Sequence, residues 1–157
     1  MTRILLAVDG SGQDVSSVEW LGKLFGDEAA TVEITVLHVA HLRMPGPSSI
    51  RLGFVPRLPS REDLEGIESQ TRIEADEIVN SAKEDLENYG FMVNTMVEWG
   101  PTPDVIIEVA EANNSDMIAM GRHGAGRVTD LIAGSVSGRV IRRAGIPVLI
   151  LRAEPPE

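Results

Sequence analysis

Five short apolar runs, separated by stretches of helical periodicity, narrow the possible folds of this chain more than any other feature. The runs are RILLAV at 3–8, TVEITVLHV at 31–39, FMVNTMVEW at 91–99, DMIAMG at 116–121 and IPVLIL at 146–151. They are β-branched or nearly continuous in apolar residues, the pattern of strands in a buried sheet. Between the first two, Val15, Val18, Leu21, Leu24 and Phe25 fall at helical spacing. PDVIIEVAEAN (103–113) and GSVSGRVIRRAG (134–145) also read as helices. Strands that alternate with helices predict an α/β fold, a parallel sheet covered by helices on both faces. Right-handed crossovers then leave few topologies. A chain of 157 residues fits one domain, expected to span 1–157, and buries roughly 70% of its unfolded surface without covalent staples. There are no cysteines, which removes a disulfide framework, a thiolate nucleophile and Cys-ligated zinc.

Two segments break the rhythm. Residues 40–60 hold four prolines and two glycines and read as an irregular connection, longer than a compact domain needs. Residues 61–89 place Leu64, Ile67, Ile73, Ile78, Val79, Ala82 and Leu86 among ten acids, the pattern of one amphipathic acidic helix. The acidity matters for partners, because a formal charge of -10 argues against nucleic acid, which requires clustered Lys and Arg. The stretch from Gly121 to Arg143 runs the other way, with arginines at 122, 127, 139, 142 and 143 against the single acid Asp130. For Arg139, Arg142 and Arg143 the plain reading is a solvated helix face, although an anion nearby would still feel them. The N-terminal apolar run is too short for a signal peptide or a membrane span, so a soluble, cytoplasmic protein with no membrane partner is expected. Residues 152–157 are expected to be a short tail.

The glycines at 121, 124, 126 and 134 set the functional question. Glycine costs conformational entropy, so a cluster answers a local geometric demand, and after the fourth strand of a parallel sheet that demand is a ligand at the carboxyl edge. Glycine turns that expose backbone N–H groups beside a helix N-terminus form an anion site, and Ser135 adds a hydroxyl. The first strand ends similarly in Asp9, Gly10, Ser11 and Gly12. Two named phosphate motifs fail. GRHGAGRV at 121–128 puts Arg127 and Val128 where a Walker A loop needs Lys and a hydroxyl, and a dinucleotide GxGxxG finds Thr129 and Val15 where its third glycine belongs.

What the stretch does hold is Gly121, two residues, Gly124, nine residues, Gly134 and then Ser135. That spacing resembles the nucleotide-binding pattern of the universal stress protein family. The resemblance covers essentially the whole chain, with ILLAVDGS at 4–11 and VLHV at 36–39 similar to the family's first and second strands and DMIAMGRHG into GSVSGRVIRRAGIPVLIL similar to its C-terminal half. It implies a three-layer αβα sandwich with an open five-stranded parallel sheet in order 3-2-1-4-5, Rossmann-like and akin to the adenine nucleotide alpha hydrolases. It also implies an ATP site. Ala7, Val8, Asp9 and Val39 would border adenine and ribose. Met120 and Gly121 would touch the nucleoside end, next to Arg122 and His123. Gly124, Gly134, Ser135, Val136 and Ser137 would hold the phosphates. Asp9 can accept from adenine N6 or ribose hydroxyls, and the last helix presents its positive end. Ala7 departs from the proline the family often has there, which costs rigidity.

Duller readings stand beside these. Asp9 also suits a turn or helix cap, Met120 a core position and Trp99 a packing anchor at a strand end. His38 and His41 receive no role, and His123 has no neighbours at metal-ligand spacing. Magnesium or manganese would arrive with the triphosphate, not in a protein cage. The expected activity is nucleotide-dependent regulation or stress response with at most slow ATP hydrolysis, since no Walker lysine, base or arginine finger is evident. Two alternatives stay open: a homodimeric interaction or scaffold protein that binds no nucleotide, and a hydrolase using the 40–60 segment, with Arg43, Arg51 and Arg57, as a lid. In the implied strand order the 146–151 strand is an open edge, so the chain is expected to form a homodimer through it.

Overall fold

The computed structural model describes residues 1–42, 59–122 and 135–154. Its elements run β1 (Thr2–Val8), α1 (Gln13–Phe25), a 3-10 helix (Gly26–Thr31), β2 (Val32–Ala40), α2 (Arg61–Asn88), β3 (Met92–Trp99), α3 (Thr102–Ala112), β4 (Met117–Gly121), α4 (Ser135–Arg143) and β5 (Val148–Leu151). The five strands form one sheet in order β3-β2-β1-β4-β5, every pairing parallel. This is the sheet and order expected. Most of the 40–60 connection and the last three residues of the tail lie outside the described residues.

β1 explains the layering. Ile4, Leu6 and Val8 pack with Val18 and Leu21 of α1 and Val79, Ala82 and Leu86 of α2, while Leu5 joins Leu37, Ile106, Ile118 and Val140 on the other side. Alternate residues therefore feed two cores, which is why the run is continuously apolar. α1 and α2 cover one face and α3 and α4 the other.

The helical spacing in α1 overstates its buried face. Val18 and Leu21 are buried, but Val15 and Leu24 are 55% and 51% exposed. At ~100° per residue these two lie about a quarter turn either side of the buried face. Small residues, Ser17 and Gly22, complete that face instead. A Cβ on Gly22 would clash with the Tyr89 ring.

α2 starts from a capping box: Ser60 Oγ accepts from Asp63 N at 3.1 Å, and Asp63 Oδ2 accepts from Ser60 N at 2.7 Å. The Ser60 hydroxyl also donates to Asp63 Oδ2 at 2.7 Å, and this bond, followed by the one from Ser60 N, holds the Asp63 carboxyl below its usual pKa. Its 28 residues span about 42 Å, against about 30 Å for β2. The buried positions Ala75, Val79, Ala82 and Leu86 all fall in the second half. Because α2 leads into β3 at the amino edge, its first half extends past the carboxyl edge, leaving Leu64 and Ile73 exposed. Arg72 lies over the Trp99 ring at 5.9 Å, where the helix passes the end of β3.

α3 closes with a Schellman turn. Ser115 N donates to Ala110 O and Asn114 N to Glu111 O, with Asn114 left-handed at φ 50°. β5 starts two residues later than the apolar run, and its first three residues are only half-buried, as befits an edge strand. The chain after β5 crosses to α1, where Ser16 Oγ donates to Ala153 O at 2.7 Å and Trp20 Nε1 to Glu154 O at 2.8 Å.

Candidate functional site

The strand order reverses between β1 and β4, so the carboxyl ends of those strands open the crevice where α/β folds take ligands. Ala7 pairs in register with Met120, and Val8 with His38, one residue before Val39. Ala7, Val8, Asp9, Val39, Met120 and Gly121 are thus neighbours at one edge. Ala7, Val39, Met120 and Val136 also share one apolar cluster on the α3–α4 face. Met120 and Val39 are each 6% exposed, so the core reading of Met120 holds. α4 begins at Ser135, with Ser137 buried. His123, Gly124 and Gly134 lie outside the described residues, as do Gly126 and Arg127.

Arg122 follows directly on β4. Its backbone N–H donates to Leu151 O at 3.0 Å, extending the ladder to β5, and its side chain is exposed. Of the last-helix arginines, Arg139 and Arg142 are exposed, and Arg143 pairs with Asp104 of α3.

The β1–α1 turn corrects one expectation. DGSG reads as a second set of free amides for an anion, but carboxylates already occupy them. Asp14 accepts from Gly10 N at 2.7 Å and from Asp9 N at 3.3 Å, and Asp9 Oδ1 accepts from Ser11 N at 2.9 Å. A turn whose Asp9, Gly10 and Ser11 N–H groups face carboxylates disfavours phosphate there and leaves polar acceptors for a ligand's donors. Asp9 is therefore a turn former, as its duller reading held, and among the described residues its Oδ2 keeps open lone pairs. Gly10 is required here: its φ is +78°, and a Cβ would fall 2.7 Å from Ile78 Cδ1 of α2. Burial, then repulsion from Asp9, pushes the Asp14 carboxyl up to about 6 against the two amide bonds that lower it.

Sequence reasoning missed Asp14 and Gln13. A Cβ on Gly121 would sit 3.3 Å from Gln13 Oε1 and 3.7 Å from Ser17 Oγ, so the end of β4 runs close under the first turn of α1. The available signal was Asp at the second helical position behind a glycine turn, from where a carboxylate reaches back to the preceding amides. His38 also has a role: Nδ1 lies 2.9 Å from Val8 O, tying the ends of β1 and β2. His41 Nε2 lies 2.7 Å from Thr102 Oγ1 at the start of α3. Among the described residues no three His, Asp or Glu side chains converge as a metal cage, and no helix is long and apolar enough to cross a membrane.

The model of the universal stress protein family matches residues 1–152. A curated relative, universal stress protein MJ0577 of Methanocaldococcus jannaschii, is 29% identical over 124 residues, covering 76% of each chain. The solved structure of MJ0577 superposes with a TM-score of 0.76 at 24% identity over 99% of this chain and 98% of that one. A family protein of Arabidopsis thaliana, solved with AMP bound, gives a TM-score of 0.69 at 18% identity over 97% and 92% of the two chains. The universal stress protein of Archaeoglobus fulgidus, solved in complex with dAMP, gives 0.63 at 20% over 96% and 98%.

Proposed function

This chain belongs to the universal stress protein family, and from that premise we propose that it is an ATP-binding regulatory protein of the stress response. The observation that carries the reading is the convergence of Ala7, Val39, Met120 and Val136 into one apolar floor at the switch point, with Asp9 at its rim. An adenine ring needs apolar surface and a few placed polar groups, and the apolar cluster beside Asp9 supports that reading. The Gly121, Gly124, Gly134, Ser135 spacing would supply backbone N–H groups and a helix start for the phosphates. The AMP and dAMP of the two related structures favour an adenine nucleoside.

Asp9 would take donors from adenine or ribose, and Gly124, Gly134, Ser135 and Ser137 the phosphates, with magnesium or manganese carried on the triphosphate. Hydrolysis would be slow at most. Asp9 sits at the nucleoside end, and phosphoryl transfer relies on positioned cations and a base that the motif lacks. Steady phosphate release at about 1 per second or more, typical of dedicated kinases, and lost in Gly124→Val, would contradict this. Amide chemical-shift mapping tests the site itself. ATP with magnesium should move the resonances of Asp9, Met120, Gly121 and Ser135, whereas shifts confined to other edges would overturn the assignment.

Assembly belongs to the same proposal. β5 is an edge strand and the described tail residues turn away to α1, which favours pairing of β5 with its copy in a homodimer.

A further inference from the structure

We propose that Asp14 is a positioning residue for the nucleoside end of the site, its carboxylate holding Asp9 in place through the backbone of the β1–α1 turn; the proposal rests on the nucleotide reading above. Both Asp14 oxygens face backbone, Oδ1 towards Asp9 N and Oδ2 towards Gly10 N. Asp14 N donates in turn to Ser11 O at 3.1 Å, so one residue ties three positions of the turn. Gly10 is held from the other side by Ile78 of α2. With the backbone fixed, the Asp9 side chain is set by its own bond to Ser11 N, which leaves Oδ2 for an incoming donor.

The arrangement keeps two carboxylates close together, and the Asp9 charge opposes ionisation of Asp14. A turn held by an amide or hydroxyl would avoid that opposition, and carboxylates kept at such a cost mark functional positions. A ligand that donates to Asp9 offsets its charge and so relieves Asp14. Binding and ionisation of Asp14 therefore favour each other, and by linkage the affinity rises with pH as Asp14 ionises, through about 6. Among the described residues, the other titratable and charged groups at the strand ends of this edge are His38 on β2 and Arg122 after β4, while α2 contributes the apolar Ile78.

Adenosine is the informative probe because it has no phosphate for a carboxylate to repel. Titrated with adenosine between pH 5.0 and 7.5, the wild type should bind several-fold more tightly at the upper end. Asp14→Asn should bind more weakly at pH 7.5, by several-fold or more, and show no such rise. A wild-type profile retained in Asp14→Asn would assign the titration to another group and overturn the proposal. So would a variant that tightens ATP while leaving adenosine unchanged, because Asp14 would then act only as a charge on the phosphates. A flat wild-type profile, which needs no variant to fold, is equally contrary. Wild-type protein that binds neither adenosine nor ATP at pH 7.5 would remove the nucleotide reading itself and this role with it, an outcome distinct from binding that ignores Asp14.

Discussion

Asp14 links the site to stability with an unusual sign. Its carboxyl is raised from 3.8 to about 6, so the folded state binds the proton more tightly than the unfolded chain does. The stabilisation from protonated Asp14 is complete below about 3.8 and is lost as pH rises through about 6. Discounted for partial exposure, it amounts to roughly 1–2 kcal/mol. Urea unfolding at pH 4.5 and 7.5 should therefore show Asp14→Asn gaining stability relative to wild type as pH rises, and a difference independent of pH would contradict the assignment. Gly10→Ala makes a second test, since it puts a side chain at positive φ against Ile78. It should cost about 1–3 kcal/mol in the same experiment. Asp9→Ala should spare the fold but erode discrimination between ATP and other triphosphates, and unchanged preference in competition binding would take Asp9 out of the site.

Among the elements, α2 separates what periodicity reveals from what it hides. Its apolar spacing announced a helix, and Ala82, Val79 and Leu86 are buried as that spacing implies. The same spacing does not say where the sheet ends, so Leu64 and Ile73 look like core in the sequence and are solvent-facing in the fold. Leu86→Ala should cost about 2–5 kcal/mol in unfolding free energy, against about 0.5 kcal/mol or less for Leu64→Ala. Comparable losses at both positions would mean that the overhanging half is packed. The site was legible to the same degree. The family resemblance named Asp9, Val39 and Met120, and strand ends, which are local signals, set them along one sheet edge. Asp14 and Gln13 could not be placed, because their roles depend on a turn reaching backwards and on β4 passing under α1, neither of which periodicity encodes.

For the whole molecule, the open sheet predicts self-association. β5 exposes one edge, and Leu149→Pro would remove a ladder donor there. Sedimentation equilibrium at micromolar concentration should give twice the 17.0 kDa chain mass for wild type, falling to the monomer in the variant, while a wild-type monomer would exclude the interface. The central claim concerns the crevice rather than the edge: two halves of one sheet meet at the switch point to hold ATP. Calorimetric titration of the wild type with ATP and magnesium measures this directly, with Gly124→Val, whose β-branched side chain blocks backbone approach, as the control. The account predicts saturable one-site binding by the wild type, abolished or greatly weakened in a Gly124→Val protein that keeps its fold; no binding heat from wild type at millimolar ATP would contradict it.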